Sequence, residues 1–357
     1  MGQDAAQTVV TRTLTAPGAV PVVGAPMAGG ASTPELVAAV NAAGGLGFLA
    51  GGYKSADALA SQIARTRELT DRPFGVNLFV PGEDTGDGEE VRSYARGIAS
   101  DIEALGAEPG EPRWSDDDYP AKVALLTEDP VPVVSFTFGA PAPSEAAALH
   151  AAGSAVMVTV TTPAEARAAA EVGADALSVQ GAEAGGHQGS FDDAEERTTP
   201  LLDLLSQVRE EVDLPLVAAG GIGDAAAVRK VLSHGAVAAQ VGTVLLRTPE
   251  SGASETYKRA LADEVFPGTA VTRAFSGRRA RGLVNRFLSA HTAEAPAAYP
   301  QVHYLTGPMR KAAAQEGDTD RLHLWAGTSY RAAEDRPAGE VVRALAEGAD
   351  VTEPGRY

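Results

Sequence analysis

A chain of 357 residues, 44% of them hydrophobic, is long enough to bury one large α/β core or two smaller ones. Its formal net charge of −18 argues against nucleic acid or an anionic membrane surface as a partner. The absence of cysteine excludes disulfides, thiolate metal sites and a cysteine nucleophile.

The first residues do not show the positively charged start and apolar run of a secretory signal. No apolar run reaches the length that spans a bilayer. We therefore expect a cytoplasmic protein without membrane contact. The oligomeric state does not follow from these numbers, which leave a homo-oligomer open.

Eight short apolar runs follow one another along the chain, and alanine-rich stretches of helical period separate most of them. Eight is the number of strands in a closed parallel barrel, so the sequence predicts a TIM (β/α)8 barrel. The predicted strands are residues 22–25, 47–50, 74–78, 131–138, 155–160, 176–179, 215–219 and 238–241.

The helices between these strands carry recognisable first and last residues. Thr33 and Thr162 each precede a proline that suits the first helical position, and Glu165 would complete a capping box with Thr162. The helices then end in glycines that suit a left-handed conformation, namely Gly44, Gly153, Gly173 and Gly235.

Two regions interrupt the repeat. Residues 81–130 are acidic and contain one predicted helix at 91–105, so we interpret them as a solvated excursion and assign no metal to them. Residues 249–325 have helical patterning, which predicts a helical lobe over one end of the barrel. A last helix at 337–347 would be the eighth of the barrel wall. The predicted domains are a barrel of 15–248 and 326–357 and an inserted lobe of 249–325.

Barrel enzymes carry their active sites at the carboxyl ends of the strands, so the residues after each run are the candidates for chemistry. A glycine-rich loop with one imidazole follows the sixth strand, and we predict a catalytic role for His187. Asn77 and Gln180 are amides at strand ends, where each would bind a flat polar ring or cap a neighbouring loop. The residues after the last two strands suit a phosphate site, although one glycine pair alone is equally typical of a tight turn. These residues are Gly220, Gly221, Gly242 and Thr243.

The remaining histidines and arginines have weaker claims. His150 and His234 end predicted helices, where an imidazole commonly binds the last carbonyl groups. His303 lies in an aromatic segment that either packs the lobe or covers a ligand. A dense basic cluster predicts ion pairs with acidic neighbours, with contact to an anionic substrate as the alternative. It consists of Arg278, Arg279, Arg281 and Arg286.

Several separated phrases of the sequence resemble the nitronate monooxygenases. They are residues 25–30, 32–36, 42–49, 180–187 and 218–222, and the similarity runs from about residue 22 to residue 330. The resemblance implies an FMN-dependent TIM barrel that oxidises alkyl nitronates, such as propionate 3-nitronate, with dioxygen to a carbonyl compound and nitrite. Gln188 departs from the family, where an arginine is frequent, and this difference leaves the substrate open.

The resemblance also implies roles for individual residues. It makes His187 the catalytic histidine and places the segment 325–327 over the flavin. It assigns Tyr299, Tyr304 and Arg310 to the substrate side of the lobe. The flavin contacts that it implies are Pro26, Met27, Asn77, Gln180, Gly185, Gly186, Gly220, Gly221, Gly242 and Thr243.

Two other functions fit the same barrel. One is a flavin-dependent reductase of enoyl thioesters that uses NADH or NADPH. The other is a flavin-binding barrel without catalysis. Reduction of the flavin by a nitronate, by a nicotinamide or by neither would distinguish the three.

Overall fold

The computed structural model describes residues 11–13, 16, 18–84 and 88–349. The predicted barrel ends at 15 and 350–357 therefore lie outside the described residues. The strands are β1 Val22–Gly24, β2 Leu46–Ala50, β3 Gly75–Phe79, β4 Val133–Thr137, β5 Ala155–Val160, β6 Ala176–Gln180, β7 Gly186–His187, β8 Leu216–Ala219, β9 Ala238–Val241, β10 Thr269–Thr272 and β11 Ala280–Leu283.

The α-helices of the described residues follow the strands in the order that a barrel requires. They are α1 Pro34–Ala42, α2 Ala56–Leu69, α3 Gly88–Gly97, α4 Ala99–Glu103, α5 Tyr119–Glu128, α6 Pro143–Ala152, α7 Pro163–Glu171, α8 Leu201–Glu211, α9 Ala225–Ser233, α10 Glu255–Ala262, α11 Arg286–His291, α12 Gln301–Glu316 and α13 Ala338–Leu345. None of them combines the length and apolarity that a membrane span needs.

Eight parallel strands close into a barrel in the order β1-β2-β3-β4-β5-β6-β8-β9, with β9 pairing back to β1. The predicted (β/α)8 fold is confirmed. One apolar layer inside the barrel includes Phe48, Met157 and Val217, while the outer faces of the strands pack against the helices. The barrel axis is therefore filled by side chains, and ligands bind at the strand ends.

The helix boundaries follow the capping residues. The side chain of Thr33 accepts a hydrogen bond from Leu36 N at 3.0 Å, and that of Thr162 accepts one from Glu165 N at 3.1 Å. The predicted capping box at Thr162 is wrong, because the Glu165 carboxylate accepts from Thr161 N instead, at 2.6 Å. The four predicted terminal glycines all have positive φ. Helix α13 packs against α1 and α9, so the last helix closes the wall as predicted.

The lobe is not purely helical, which corrects the prediction for 249–325. Strands β10 and β11 lie within it and form an antiparallel sheet with β7, in which Ala280 pairs with His187. Both strands have only four residues, too few to show a periodic pattern, and β11 also contains an arginine and a glycine. The consequence is that the lobe is hydrogen-bonded directly to the histidine loop.

The acidic excursion is also more structured than predicted. The single helix predicted at 91–105 is replaced by two, α3 and α4, and the excursion also contains α5. The buried side chains Tyr94, Ile98 and Ile102 belong to the apolar core of the lobe. Asp101 accepts hydrogen bonds from Arg286 and His291, the latter at 2.8 Å. The excursion therefore supports the lobe from one side.

Candidate active site

The loop after β6 is held in place by close backbone packing. A Cβ atom on Gly185 would lie 2.3 Å from Gly327 N, so only glycine allows the loop to approach the segment 325–327 this closely. Gln180 holds the loop by two side-chain hydrogen bonds. Its Nε2 donates to His187 O at 3.1 Å, and its Oε1 accepts from Gly189 N at 2.7 Å. Glu165 accepts a further hydrogen bond from Phe191 N at 2.9 Å. The position of His187 is thus determined by the barrel.

His187 is a half-buried, neutral imidazole on the cavity wall. Its ring contacts the rings of Phe138, Tyr299 and Trp325, with centroids 5.7, 5.7 and 5.6 Å away. Burial lowers the pKa of His187 to about 3, and the guanidinium groups of Arg278 and Arg310 lower it further. At neutral pH the ring is therefore uncharged and has a lone pair for proton transfer.

A cavity of about 520 Å³ opens at the carboxyl ends of the barrel strands. Its walls come from the loops after the strands and from helix α12 of the lobe. Among the predicted site residues, it brings together Pro26, Met27, Asn77, Gln180, Gly185, Gly186, His187, Gly220, Gly221, Gly242, Thr243 and Arg310.

Tyr299 and Tyr304 lie outside the lining of this cavity. Both line a neighbouring space of about 30 Å³, together with Tyr53. Tyr299 still reaches the site through its ring contact with His187 and its hydroxyl, which lies 3.1 Å from the Tyr53 hydroxyl. Tyr304 is instead covered by the Arg113 guanidinium, 4.1 Å from its ring centre. The two predicted tyrosines therefore occupy different environments.

Three buried polar atoms on the cavity wall have no hydrogen-bond partner among the described residues. They are Ser178 Oγ, Gln240 Oε1 and His323 Nδ1. A buried polar atom without a partner is costly, so its presence on a cavity wall points to a ligand with matching donors or acceptors. Ser178 and Gln240 lie on β6 and β9, close to the predicted phosphate loops.

The lobe contributes a buried positive charge. The Arg310 guanidinium donates to Thr306 Oγ1 at 3.0 Å and to His303 O at 2.7 Å, and no carboxylate of the described residues pairs with it. Burial lowers the pKa of Arg310 to about 10, which still leaves it charged at neutral pH. Burial and this charge together lower the pKa of His303 and His323. A negatively charged ligand would offset the charge of Arg310.

The four arginines of the basic cluster make different contacts. Arg286 pairs with Asp101, and Arg279 lies 3.7 Å from Asp193, as the sequence predicted. Arg281 donates to Ala182 O at 2.9 Å. Arg278 lies over the Phe138 ring, 4.0 Å from its centre, and adds a second cation near His187.

The two histidines at helix ends are structural, in different ways. His234 Nδ1 lies 2.8 Å from Lys230 O, which is the contact predicted with a terminal carbonyl group. His150 does not make such a contact, because its Nε2 pairs with Asp175 at 2.8 Å. Within the described ranges, no three His, Asp or Glu side chains form a metal-binding group.

Sequence reasoning missed several residues of the site. Tyr53 follows β2 and lines the cavity, but its loop carries no motif. Ser178 and Gln240 were missed because strands that are buried on both faces show no alternation that marks inward positions, so only the register of the barrel reveals them. Ser276 and His323 lie in loops of the lobe that carry no motif.

Comparison with known proteins identifies the family. A sequence model described as nitronate monooxygenase matches residues 12–348. A probable nitronate monooxygenase of Staphylococcus saprophyticus is 36% identical over 337 residues, which cover 92% of this chain and 94% of that protein. The chain belongs to the nitronate monooxygenase family. It is an oxidoreductase of that type.

Solved structures support this assignment. A nitroalkane oxidase from Streptomyces ansochromogenes is 52% identical, with a TM-score of 0.91 over 95% of this chain and 96% of that one. FabK from Thermotoga maritima is 29% identical, with a TM-score of 0.72 over 95% and 94% of the two chains. The closed barrel is thus shared with both proteins.

Proposed function

We propose that this member of the nitronate monooxygenase family binds FMN in the cavity and oxidises alkyl nitronates of the propionate 3-nitronate type with dioxygen, to a carbonyl compound and nitrite. The proposal rests on one observation: the neutral imidazole of His187 and the buried cation of Arg310 both line the same cavity. This combination suits a carbon acid that becomes an anion, because one group accepts the proton and the other stabilises the charge.

The residues present fit a flavin mononucleotide. Ser178 and Gln240 offer unpartnered polar atoms to the heteroatoms of a flat ring. Asn77 and Gln180 line the same cavity, but their amide N–H groups already donate to Ser135 Oγ at 3.0 Å and to His187 O at 3.1 Å, so these two side chains shape the wall. The phosphate would lie at Gly220, Gly221, Gly242 and Thr243, close to the N-terminus of α9, where backbone N–H groups and the helix dipole favour an anion. When bound, FMN supplies the electron acceptor that these side chains lack.

The protein residues have distinct tasks in this proposal. His187 removes the α-proton of a neutral nitroalkane, or contacts a nitronate that arrives as the anion. Arg310 binds the negative charge, and Arg278 adds to the field from behind Phe138. Phe138, Tyr299 and Trp325 exclude water around the imidazole, which strengthens these electrostatic interactions.

The cofactor is tested by heating the purified protein and identifying the released compound by mass spectrometry. We expect FMN, at about one molecule per chain after reconstitution with a mixture of FMN and FAD. A protein that takes up neither flavin would overturn the proposed site. Preferential uptake of FAD would contradict the assignment of the phosphate loops.

A second candidate function is a flavin-dependent reductase that uses NADH or NADPH, and the likeness to FabK favours it. The two are separated by mixing the flavin-loaded protein with ethyl nitronate in one anaerobic sample and with NADH or NADPH in others. Flavin reduction by the nitronate supports the oxidation. Reduction by a nicotinamide alone supports the reductase, and reduction by neither leaves a non-catalytic flavin-binding barrel.

A further inference from the structure

Ser276 makes the hydrogen bond that determines how His187 is oriented. It lies between β10 and β11 and is 1% exposed. Its Oγ lies 2.9 Å from His187 Nε2, 3.1 Å from Arg278 O and 3.4 Å from Arg278 N. No motif or resemblance pointed to this serine.

Only one placement of the hydrogen atoms gives every donor and acceptor of these groups a hydrogen bond. A carbonyl oxygen only accepts and a backbone N–H only donates, whereas a hydroxyl group has one proton to donate. If the Ser276 hydroxyl donates to Arg278 O, it must accept from His187, and His187 Nε2 then carries hydrogen. If it donates to His187 instead, it no longer bonds Arg278 O, which has no other hydrogen bond from the described residues.

Backbone contacts hold the two side chains in register. Gln188 N donates to Arg279 O at 2.9 Å, and Ala280 pairs with His187 in the small sheet. On the other side of the turn, Ala298 N donates to Gly277 O at 3.1 Å. His187 belongs to this ladder, and Ser276 lies in the buried turn before β11, where its N–H donates to Arg273 O at 3.1 Å. Both residues of the contact are therefore held by backbone hydrogen bonds.

We propose that Ser276 is a positioning residue that holds neutral His187 in the tautomer with hydrogen on Nε2, which leaves the Nδ1 lone pair as the base on the cavity side. Nδ1 forms no hydrogen bond with the described residues, and His187 lines the cavity. The inference rests on the proposed function only for the use of Nδ1 as a base. The tautomer itself is a property of the protein.

The tautomer can be measured by nitrogen NMR on holoprotein that carries 15N-labelled histidine. The chain has six histidines, and His187→Asn identifies the signal of His187 by its loss. We expect Nε2 protonated and Nδ1 unprotonated in the unaltered chain. We expect a mixture of tautomers in Ser276→Ala and a return to one tautomer in Ser276→Thr, which keeps the hydroxyl group.

Kinetics provide the second readout. In Ser276→Ala, we expect kcat/KM for neutral nitroethane to fall at least about tenfold and kcat/KM for ethyl nitronate to change less than about twofold, because only the neutral substrate needs a base. Ser276→Thr should recover most of the loss. Ser154→Ala is the matched control, since it removes another buried hydroxyl that bonds a carbonyl group, Val131 O at 2.7 Å, far from the cavity. It should leave both substrates and the His187 signal unchanged.

The two measurements separate the inference from the proposed function. An unaltered chain with hydrogen on Nδ1, or a Ser276→Ala variant that keeps a single Nε2–H tautomer, would overturn the role of Ser276. The expected NMR result in a protein that oxidises neither nitroethane nor its nitronate would confirm the positioning and refute the proposed function. If Ser276→Ala does not fold, the NMR spectrum of the unaltered chain still decides the tautomer.

Discussion

Three features of the structure act on the imidazole of His187: its desolvation, two nearby cations and a serine hydroxyl group. The pKa of His187 is lowered to about 3, so protonating the ring in the resting site is costly. A protonated His187 therefore does not hold the substrate anion in the free protein. The charge that attracts an anion belongs to Arg310, and His187 gains a proton only as the substrate loses one.

Replacement of His187 by Asn tests this division of tasks. We expect kcat/KM for neutral nitroethane to fall by about 10²-fold or more, the usual contribution of a general base, and kcat/KM for ethyl nitronate to fall much less. Both are measured by oxygen consumption with flavin-saturated protein. His234→Asn, at the exposed end of α9, is the control. An equal loss on both substrates would assign His187 to binding.

Replacement of Arg310 by Met removes the buried cation without a large change in volume. The nitronate anion then enters a site with no charge at this position, so we expect its KM to rise about tenfold or more, with a smaller effect on neutral nitroethane. Arg65→Met alters an exposed helix arginine that pairs with Glu35 and Glu68 and serves as the control. Equal KM changes for the anion and the neutral compound would contradict the electrostatic role.

Among the elements, the small sheet β10-β11-β7 and the excursion α3-α4 connect the lobe to the barrel. The sheet joins the histidine loop to the lobe, and Asp101 connects α4 to lobe residues. Neither connection was predicted, because two- and four-residue strands have no periodicity to read and a carboxylate in an acidic segment looks solvated. The barrel strands and helix caps were predictable because each βα unit repeats the same local pattern.

Replacement of Asp101 by Ala should loosen the lobe. It leaves His291, Arg286 and Arg321 without the carboxylate they share. The carboxylate is buried but both arginines are partly exposed, so we expect a loss of about 2 kcal/mol in the free energy of unfolding, between the usual effects of breaking an exposed and a buried ion pair. Urea unfolding at constant FMN measures this. Asp129→Ala breaks the exposed pair with Arg67 and should cost less than about 1 kcal/mol. Similar losses in the two variants would refute the role of Asp101.

For the whole molecule, the sequence predicted the fold class, and most of the site residues that it singled out line the cavity. It did not predict which wall residues lack partners or that Tyr304 lies outside the cavity, because both depend on barrel register and lobe packing. Arg310 was assigned by resemblance alone, and its burial without a carboxylate is a fact of the tertiary structure. An acidic chain thus encloses a locally positive site.

The neutral, half-buried histidines of the cavity also affect stability across pH. The pKa values of His187, His303 and His323 lie below the unfolded value near 6.5, so in mildly acidic solution the unfolded chain binds protons that the folded chain excludes. Stability therefore falls as pH decreases from about 6.5 toward 4, by up to ~1.4 kcal/mol per pH unit for each histidine. His323→Leu should show a shallower decline in urea unfolding between pH 7 and pH 4.5.

Leu324→Ala is the control for this pH dependence. It removes buried apolar contacts next to His323 without a titrating group, so it should lower stability equally at every pH. If His323→Leu and the unaltered chain lose stability with the same slope, the histidines of the cavity are not the source of the acid sensitivity.

The central claim is that a nitronate delivers electrons to a flavin held beside His187 and Arg310. The most direct measurement is the visible absorbance of the purified protein, recorded without oxygen before and after addition of propionate 3-nitronate. We predict a flavin spectrum that is lost on addition of the nitronate and returns when air is admitted. A flavin spectrum that the nitronate leaves unchanged would contradict the account.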